Sequence, residues 1–590
     1  MADTLRRRDV DFLLFDAFGI ESLLGEPHFA HVGRAELDGV LDTAFRIARE
    51  RFEPIAAMLD AQEPAFVDGG VRLPAALKGA LQDYARAGFI AAGVDVADGG
   101  LGLPYSVALA AQAAFTAANN PAAGYAFLTS AAANLLLAHG SAAQKARYLR
   151  PMLEGRFFGT MVLSEPATGS SLGDITTEAT PVDHGRYAIR GTKTWISGGD
   201  HDLAENIVHF VLARVRGAAA GTRGLSLFIV PKFRVGDDGS VGAANDVTLA
   251  GLNHKLGHRG TTNCVLAFGD AGACEGELMG AAGGGLPAMF HMMNEARIGV
   301  GTGAAVTAYA AYLHALDYAR TRLQGRSAMN RDPQTPQLPL IAHPDVRRML
   351  LAQKVVAEGG LALCLYCASL VDRQKGGDQA AAREAGLLLE LLTPIAKSWP
   401  SEEGIRANSL AIQVLGGAGY CRDHPVERLF RDQRLNAIHE GTTGIQAIDL
   451  LGRKLGMHGG AAIALLAGEI AATCAAAARS VFDREAAGLA RMLADWRATS
   501  DRLIVTLADD PEAALANATL YLDVTGALVI GWTWLRVALA ADRLPDTPFA
   551  RGKAAACRYF FRYDLPRARA LMPLLDAIDR TCLDADPGIF

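Results

Sequence analysis

A carboxylate, Glu440, follows His439 at the start of a predicted helix in the segment NAIHEGTTGIQAIDLLGRKL, residues 436–455. A carboxylate can act as a general acid or base in catalysis. The segment also has a purely structural interpretation. Thr442 or Thr443 can cap a helix with one apolar face, and Glu440 then only favours the positive end of its dipole. The segment alone favours the structural interpretation.

Two further segments have residue types that suit ligand binding. MVLSEPATGSSLGD, residues 161–174, is an apolar strand followed by hydroxyls, a proline and two glycines, which can present N–H and hydroxyl groups to a polar ligand. GTKTWISGGD, residues 191–200, places Trp195 near Ser197 at a strand end, where an indole can cover a flat ring. Taken singly, the first is compatible with an ordinary turn and Trp195 with a core residue.

Two other patterns indicate packing and not chemistry. GVGTGA, residues 299–304, resembles part of a dinucleotide-binding fingerprint, but the preceding MFHMMNEARI has helical spacing where a strand is required. Cys364 and Cys367 lie in an apolar helical pattern without a second cysteine pair for zinc. We therefore predict close helix packing at the glycines, core positions for both cysteines, and no metal site.

Composition favours a soluble globular protein of several domains. The chain has 590 residues, of which 20% are charged, and a net charge of −6, which argues against nucleic-acid binding. Acidic residues interrupt the apolar part of residues 1–30, so we expect no signal peptide and a cytoplasmic protein. The apolar stretch 524–541 contains Arg536 and two glycines. It is predicted to be a buried bundle helix and not a membrane insertion.

The hydrophobic pattern predicts an α+β fold that is mostly α. Residues 1–157 form a helical domain, and residues 158–282 form a β domain, sandwich or barrel-like, with short β-rich runs between turn residues. Residues 283–457 return to helical spacing and contain the Glu440 segment. Residues 458–590, which begin within the predicted hinge GMHGG at 456–460, form an extra C-terminal helical domain.

Six motifs in order resemble the acyl-CoA dehydrogenase flavoenzymes: LSEPATGS, GTKTWIS, KLGHRGTTNCVLAFGDA, YARTRLQGR, VLGGAGY and HEGTTGIQ. The long C-terminus, and the Pro-rich loop after RLQGRS, look most like the large subgroup that contains 3-methylmercaptopropionyl-CoA dehydrogenase. The resemblance implies FAD bound between the β domain and the second helical domain, an acyl-CoA against one face of its isoalloxazine ring, and a homodimer.

The same resemblance assigns roles to individual residues. Glu440 matches the catalytic base. The positions that match flavin-binding residues are Leu163, Ser164, Gly169, Ser170, Trp195, Ser197, Thr442 and Gly444. The positions that match contacts to the FAD pyrophosphate and adenosine of a neighbouring subunit are Arg322, Gln324, Gln413, Gly416 and Gly417. The positions that match substrate contacts are Ser170, Asn294, Arg297, His439 and Gly441.

The implied reaction is α,β-desaturation of an acyl-CoA. Glu440 removes the α proton, the β hydride passes to flavin N5, and an electron-transfer flavoprotein takes the electrons. A short or medium chain, including the methylthio-substituted 3-methylmercaptopropionyl group, is the expected substrate class. Two alternatives stay open: an oxidase on the same fold, and an FAD-binding relative without catalysis. Two departures from the family pattern bear on specificity. RLQGR lacks the usual Phe, and His439 stands where Tyr is common.

Overall fold

The protein is described by a computed structural model that covers residues 3–67, 69–183, 185–327, 329 and 332–590. The chain folds into two compact units. Unit 1 contains Met1–Arg34, Pro104–Ala110 and Arg297–Phe590. Unit 2 contains Ala35–Leu103 and Ala111–Ala296. The four-domain division predicted from the sequence stays a prediction.

The predicted fold class is confirmed, because helices dominate the chain and the long strands cluster in its middle third. The helices are α1 (Arg7–Asp11), α2 (Arg34–Ile47), α3 (Ala56–Ala61), α4 (Ala75–Arg86), α5 (Tyr105–His139), α6 (Ala142–Leu153), α7 (Gly285–Thr321), α8 (Pro344–Gln374), α9 (Gln379–Leu415), α10 (Val426–Gln433), α11 (Thr443–Asp449), α12 (Ala461–Ala477), α13 (Asp483–Asp509), α14 (Pro511–Leu515), α15 (Ala518–Asp542), α16 (Pro548–Tyr559), α17 (Leu565–Arg569) and α18 (Met572–Asp576). The strands are β1 (Ala65–Val67), β2 (Gly70–Arg72), β3 (Phe157–Val162), β4 (Glu178–Asp183), β5 (Arg186–Ser197), β6 (Asn206–Val215), β7 (Leu225–Pro231), β8 (Phe233–Val235), β9 (Val241–Ala244), β10 (Val247–Leu252), β11 (Asn263–Phe268) and β12 (Glu275–Met279).

The main sheet of unit 2 closes on itself. β5 pairs with β12, β12 with β7, β7 with β6, β6 with β4, and β4 again with β5, so five strands form a ring, which leaves no free edge among them. β3 adds to β6 in parallel, and β11 and then β10 add to β5. Alternating apolar residues such as Val211 and Phe228 fill one core of this sheet. The barrel-like prediction for the β domain is therefore confirmed.

Small residues allow the long helices of unit 1 to pack closely. A Cβ atom at Gly301 of α7 would lie 2.0 Å from the carbonyl oxygen of Ala396 in α9, so only glycine fits there. Helix packing at residues 299–304 is confirmed. Cys364 and Cys367, both in α8, are fully buried, and their prediction as core residues is confirmed as well.

The apolar stretch 524–541 forms most of α15, which is a buried bundle helix. Trp532 and Trp534 are fully buried, and their indole N–H groups donate to the Thr473 hydroxyl and the Val355 carbonyl. The Arg536 guanidinium lies 4.4 Å from the centre of the Tyr366 ring. Among the described residues, four helices are long and apolar enough to cross a membrane by length and composition alone; α15 is one of them, and 89% of its apolar window is buried inside the protein.

Candidate active site

The segment around Glu440 is a turn between two short helical elements. A 3-10 helix, Arg434–Ala437, precedes it and α11 follows it. Thr442, one of the two residues predicted to cap this helix, caps α11, because its hydroxyl accepts a hydrogen bond from the Ile445 N–H. Glu440 precedes this cap by two residues and lies outside the first turn of the helix. The helix dipole is therefore not a sufficient reason for a carboxylate at this position.

The backbone of this turn is strained. Glu440 has φ +55° and Gly441 has φ +86°, and the first value is uncommon for a residue with a long side chain. Such a conformation costs about 1–3 kcal/mol and persists only where its surroundings enforce it. Two buried side chains do so here. Gln446 Nε2 donates to the Glu440 carbonyl at 3.0 Å, and Lys397 Nζ donates to the Gly441 carbonyl at 2.8 Å.

The surroundings of the Glu440 carboxyl group shift its pKa close to neutral pH. Its side chain is half-buried. Burial raises its pKa, and the positive charges of Arg297 and Lys397 partly offset that increase, so that the pKa is about 7. Burial also lowers the pKa of Lys397 to about 8. A carboxylate whose pKa lies near the working pH is well suited to general-base catalysis.

Arg297 lies beside Glu440 and is itself held in place. It is buried, and its Nη1 atom lies 3.3 Å from Oδ2 of Asp449 in α11. Burial lowers its pKa, which the neighbouring carboxylates of Asp449 and Glu440 oppose. Asn294, one turn earlier on α7, is exposed. The two predicted substrate contacts of this helix therefore differ, since only Arg297 acts electrostatically on the predicted base.

The other predicted residues next to Glu440 lie in the same turn and the start of α11. His439 and Gly441 flank Glu440, and both are half-buried. Thr442 is exposed at the helix cap, and Gly444 follows in the first turn. Sequence proximity makes these placements unsurprising, but the strained backbone of the turn is a feature that spacing alone did not reveal.

The predicted contacts to the FAD pyrophosphate and adenosine lie on exposed surface of unit 1. Arg322 and Gln324 follow the end of α7, where Leu323 pairs with Pro339 in an isolated β-bridge. At the end of α9, Gly416 has φ +61° and terminates the helix. Gln413, Gly416 and Gly417 are exposed there. The ring centres of Tyr318 and His424 lie 5.6 Å apart and connect these two parts of the surface.

In unit 2, the LSEPATGS segment is anchored by Glu165, which sequence analysis did not single out. The carboxylate lies 3.1 Å from Lys193 Nζ, and both side chains are buried. It also accepts hydrogen bonds from the backbone N–H and the hydroxyl of both Thr176 and Thr177. Burial alone would raise the pKa of Glu165, but these partners lower it to about 2. This carboxylate is ionised and fixed.

The anchor orders the predicted flavin-binding segment. Lys193 Nζ donates to the Leu163 carbonyl at 2.8 Å, and the Thr194 N–H donates to the Ser164 carbonyl at 3.0 Å. The following Gly169 and Ser170 are exposed. The exposed part of this segment therefore follows a backbone that is held firmly in place by hydrogen bonds.

Trp195 is exposed, so its interpretation as a core residue is wrong. Its side chain is 62% exposed, and its φ is +62°. In the pairing of β5 with β11, Lys193 opposes Leu266 and Ile196 opposes Cys264, so two residues face one and Trp195 belongs to a β-bulge. A bulge re-aims a side chain away from the alternation of the strand. Ser197, at the end of β5, is half-buried.

Sequence analysis missed four buried residues that hold the candidate segments in place, Lys397 and Gln446 in unit 1 and Glu165 and Lys193 in unit 2. Lys397 interrupts the apolar run LLTPIAKSW, and a lone cation in such a run is a usable signal for a buried charge with a partner. Within the described residues, no group of three or more His, Cys, Asp or Glu side chains is arranged to hold a metal ion.

Family profiles match nearly the whole chain. The acyl-CoA dehydrogenase N-terminal, middle and C-terminal domains match residues 34–156, 160–271 and 283–455. A further profile, described as acetyl-CoA dehydrogenase C-terminal like, matches residues 466–586. The extra C-terminal helices therefore also have counterparts in other proteins of this type.

Individual relatives agree with these profiles. The chain is 38% identical to 3-methylmercaptopropionyl-CoA dehydrogenase of Ruegeria pomeroyi over 89% of its length and 90% of that protein. It is 33% identical to the broad-specificity linear acyl-CoA dehydrogenase FadE5 of Mycobacterium tuberculosis over 99% of both chains. The fold resembles that of Caenorhabditis elegans ACDH-11 in complex with C11-CoA, with a TM-score of 0.73 at 18% identity over 98% of this chain and 96% of the other. The chain belongs to the acyl-CoA dehydrogenase family of FAD-dependent oxidoreductases.

Proposed function

We propose that this acyl-CoA dehydrogenase desaturates a short or medium acyl-CoA and that Glu440 is its catalytic base. The carboxylate takes the proton from the α carbon, while the β carbon loses a hydride and a double bond forms between them. When bound, FAD accepts that hydride. The observation that carries the proposal is the Glu440 turn, in which a carboxyl with a pKa of about 7 is held in a strained conformation by buried side chains.

The residues proposed to bind FAD have suitable chemistry for a flavin nucleotide. Trp195 offers an exposed indole face, and Ser164, Ser170 and Ser197 offer hydroxyls to the polar edge of the ring. The Arg322 guanidinium is exposed and can form charge-assisted bonds to a pyrophosphate. The remaining proposed contacts are Leu163, Gly169, Gln324, Gln413, Gly416, Gly417, Thr442 and Gly444.

For the substrate, we propose that Arg297 and Asn294 act near the CoA thioester arm and that His439 and Gly441 border the acyl group. The buried Arg297 is suited to fixing a group near the base, whereas the exposed Asn294 is suited to contact with the solvent-facing part of CoA. The acyl class rests on the relatives, one named for 3-methylmercaptopropionyl-CoA and one for linear acyl-CoA esters.

We further propose a homodimer, a cytoplasmic location and an electron-transfer flavoprotein as the electron acceptor. All eight cysteines are free thiols, as expected in a reducing compartment. The exposed surface with Leu323 and Tyr420, which are 53% and 86% exposed, contains the residues proposed to reach a neighbour's FAD and is suited to contact with a second copy.

The proposal is tested by anaerobic titration of the purified flavoprotein with a panel of acyl-CoA esters. The panel contains 3-methylmercaptopropionyl-CoA, butyryl-CoA, hexanoyl-CoA and palmitoyl-CoA, and the bleaching of flavin absorbance is measured. We expect reduction by the first three at lower concentration than by palmitoyl-CoA. Absence of bleaching with every ester refutes the dehydrogenase, and fast reoxidation by oxygen without an electron-transfer flavoprotein identifies an oxidase.

A further inference from the structure

Lys397 is a fully buried cation in the middle of α9. Burial of an ammonium group is costly unless its charge and its protons have partners. Its hydrogen bond goes to the uncharged Gly441 carbonyl at 2.8 Å, and the carboxylates that act on it are those of Glu440 and Glu402. A neutral donor could make the same hydrogen bond at lower cost, so the charge itself requires a reason.

Gln446 supplies the comparison within the same turn. Its amide holds the Glu440 carbonyl at 3.0 Å without any charge, and it is as fully buried as Lys397. A Cβ atom at Gly441 would approach Gln446 Nε2 to 2.5 Å, so the turn leaves no room for another residue there. Two consecutive carbonyls are thus held by two side chains, of which only one carries a charge.

We propose that Lys397 is a positioning residue for Glu440: its ammonium group fixes the turn that aims the carboxylate and places a positive charge beside it that favours its ionised form. The proposal rests on Glu440 being the catalytic base. It extends that role by assigning a second residue, 43 positions earlier in the chain, to the control of the base.

The charged and titratable groups around Glu440 come from three helices and the turn itself. Arg297 of α7 is the other cation that lowers the pKa of Glu440, but it already shares the carboxylate of Asp449 with Arg453. Removal of Lys397 therefore leaves one cation that is partly neutralised. The groups are Arg297 on α7, Lys397 and Glu402 on α9, Asp449 on α11, Arg453 just after it, and His439 in the turn.

The test compares the pH dependence of flavin reduction in the wild type and in three Lys397 variants. Lys397→Met removes both charge and hydrogen bond, Lys397→Gln removes the charge but keeps a donor, and Lys397→Arg keeps the charge. Reduction by a saturating acyl-CoA is followed by anaerobic rapid mixing from pH 5.5 to 9.5. We call the rise of the reduction rate with pH, as Glu440 loses its proton, the acidic limb of the pH profile. In the Met and Gln variants, we expect this limb to move up by about 1 pH unit, because a neighbouring cation is lost.

The expected rates follow from that shift. Below the limb, the Gln variant is slower than the wild type by about 10-fold, the factor that corresponds to one pKa unit. At pH 9.5, where Glu440 is ionised in both proteins, the Gln variant recovers to within a few-fold of the wild type. The Arg variant keeps the wild-type limb. If the Met variant does not fold, the Gln and Arg variants carry the comparison.

Gln446→Leu is the matched control, because it removes a buried hydrogen bond to the same turn without removing a charge. We expect it to lower the rate of flavin reduction by the same factor at every pH and to leave the acidic limb at the wild-type pH. A limb that stays at the wild-type pH in Lys397→Gln overturns the role of Lys397, even if the rate falls. Lack of flavin reduction in the wild type, or normal reduction in Glu440→Gln, overturns the proposed function itself.

Discussion

Glu440 in unit 1 and Glu165 in unit 2 each have a buried lysine nearby, yet their pKa values are shifted in opposite directions from that of an ordinary glutamate. Glu165 lies 3.1 Å from Lys193 and accepts four further hydrogen bonds from two threonines, and its pKa is about 2. At Glu440, Lys397 and Gln446 bond to backbone carbonyls instead, and the pKa is about 7.

The difference shows what separates a structural carboxylate from a reactive one. Burial penalises the charge in both places. At Glu165 the donors form hydrogen bonds to the carboxylate itself and compensate for burial. At Glu440 the donors hold the backbone, so the carboxylate stays basic enough to take a proton. The sign of the pKa shift therefore follows from where the donors point and not from the presence of a lysine.

The largest effect is expected at the structural carboxylate. Glu165→Gln leaves Lys193 buried without its counter-charge, and loss of one partner of a buried ion pair lowers the free energy of unfolding by about 3–5 kcal/mol. Denaturant unfolding measures it. The double variant Glu165→Gln with Lys193→Met removes the stranded charge and should regain a large part of the loss. A loss below 1 kcal/mol in the single variant contradicts the structural role.

Replacement of the reactive carboxylate should lower the rate of flavin reduction without lowering the stability of the protein. Glu440→Gln keeps the shape and the turn but removes the base, so flavin reduction should fall by at least about 10²-fold, the low end for loss of a general base. FAD content and CoA binding should remain. Rapid mixing with an acyl-CoA measures the rate, and Gln446→Leu is the control for disturbance of the turn. Near-normal reduction places the base elsewhere.

The two carboxylates should also affect stability with opposite dependence on pH. Glu165 has a lowered pKa, so its contribution is present above pH 4.5 and is lost as the pH falls towards 2. Glu440 has a raised pKa, so stability is highest below pH 4.5 and is lost as the pH rises through about 7. At pH 8, Glu440→Gln should therefore raise the free energy of unfolding by about 1–3 kcal/mol.

That increase should vanish near pH 4, where the wild-type carboxyl is neutral as well. Unfolding midpoints of the wild type, Glu440→Gln and Glu165→Gln between about pH 2 and 8 check the two signs together. Parallel curves for the wild type and Glu440→Gln contradict the raised pKa.

The smallest effect is expected at Trp195. Trp195→Gly removes an exposed indole from a left-handed conformation that glycine adopts freely, so the FAD-free protein should gain up to about 1 kcal/mol. FAD binding should weaken in the same variant, because the ring loses the aromatic face. Trp195→Phe is the control, since it keeps an aromatic ring and the strain. Unchanged FAD affinity in the Gly variant contradicts the proposed role.

Local pattern was sufficient for several parts of this account. Helical spacing before GVGTGA predicted the packing of Gly301, and a single arginine in residues 524–541 favoured a buried helix over a membrane span. Motifs in order were sufficient to predict the family and the fold class, and they are the source of the hypothesis that Glu440 is the base. Each single motif or pattern consists of residues that are close together in the sequence.

The features that the sequence did not predict depend on contacts between residues that are distant in the chain. Lys397 meets Gly441 across 44 positions and Lys193 meets Glu165 across 28, and no local spacing reports such pairs. The bulge at Trp195 depends on the register between β5 and β11, so the segment taken alone could not show that the indole is exposed. The pKa of Glu440 depends on the same distant partners.

The most direct test of Glu440 as the base separates proton removal from hydride transfer. The substrate is an acyl-CoA whose β carbon carries no hydrogen, such as 3,3-dimethylbutyryl-CoA, and exchange of its α protons in D₂O is followed by mass spectrometry. We predict exchange in the wild type with a rate that rises through about pH 7, and exchange at least about 10²-fold slower in Glu440→Gln. Equal exchange in the two proteins would contradict the assignment of Glu440.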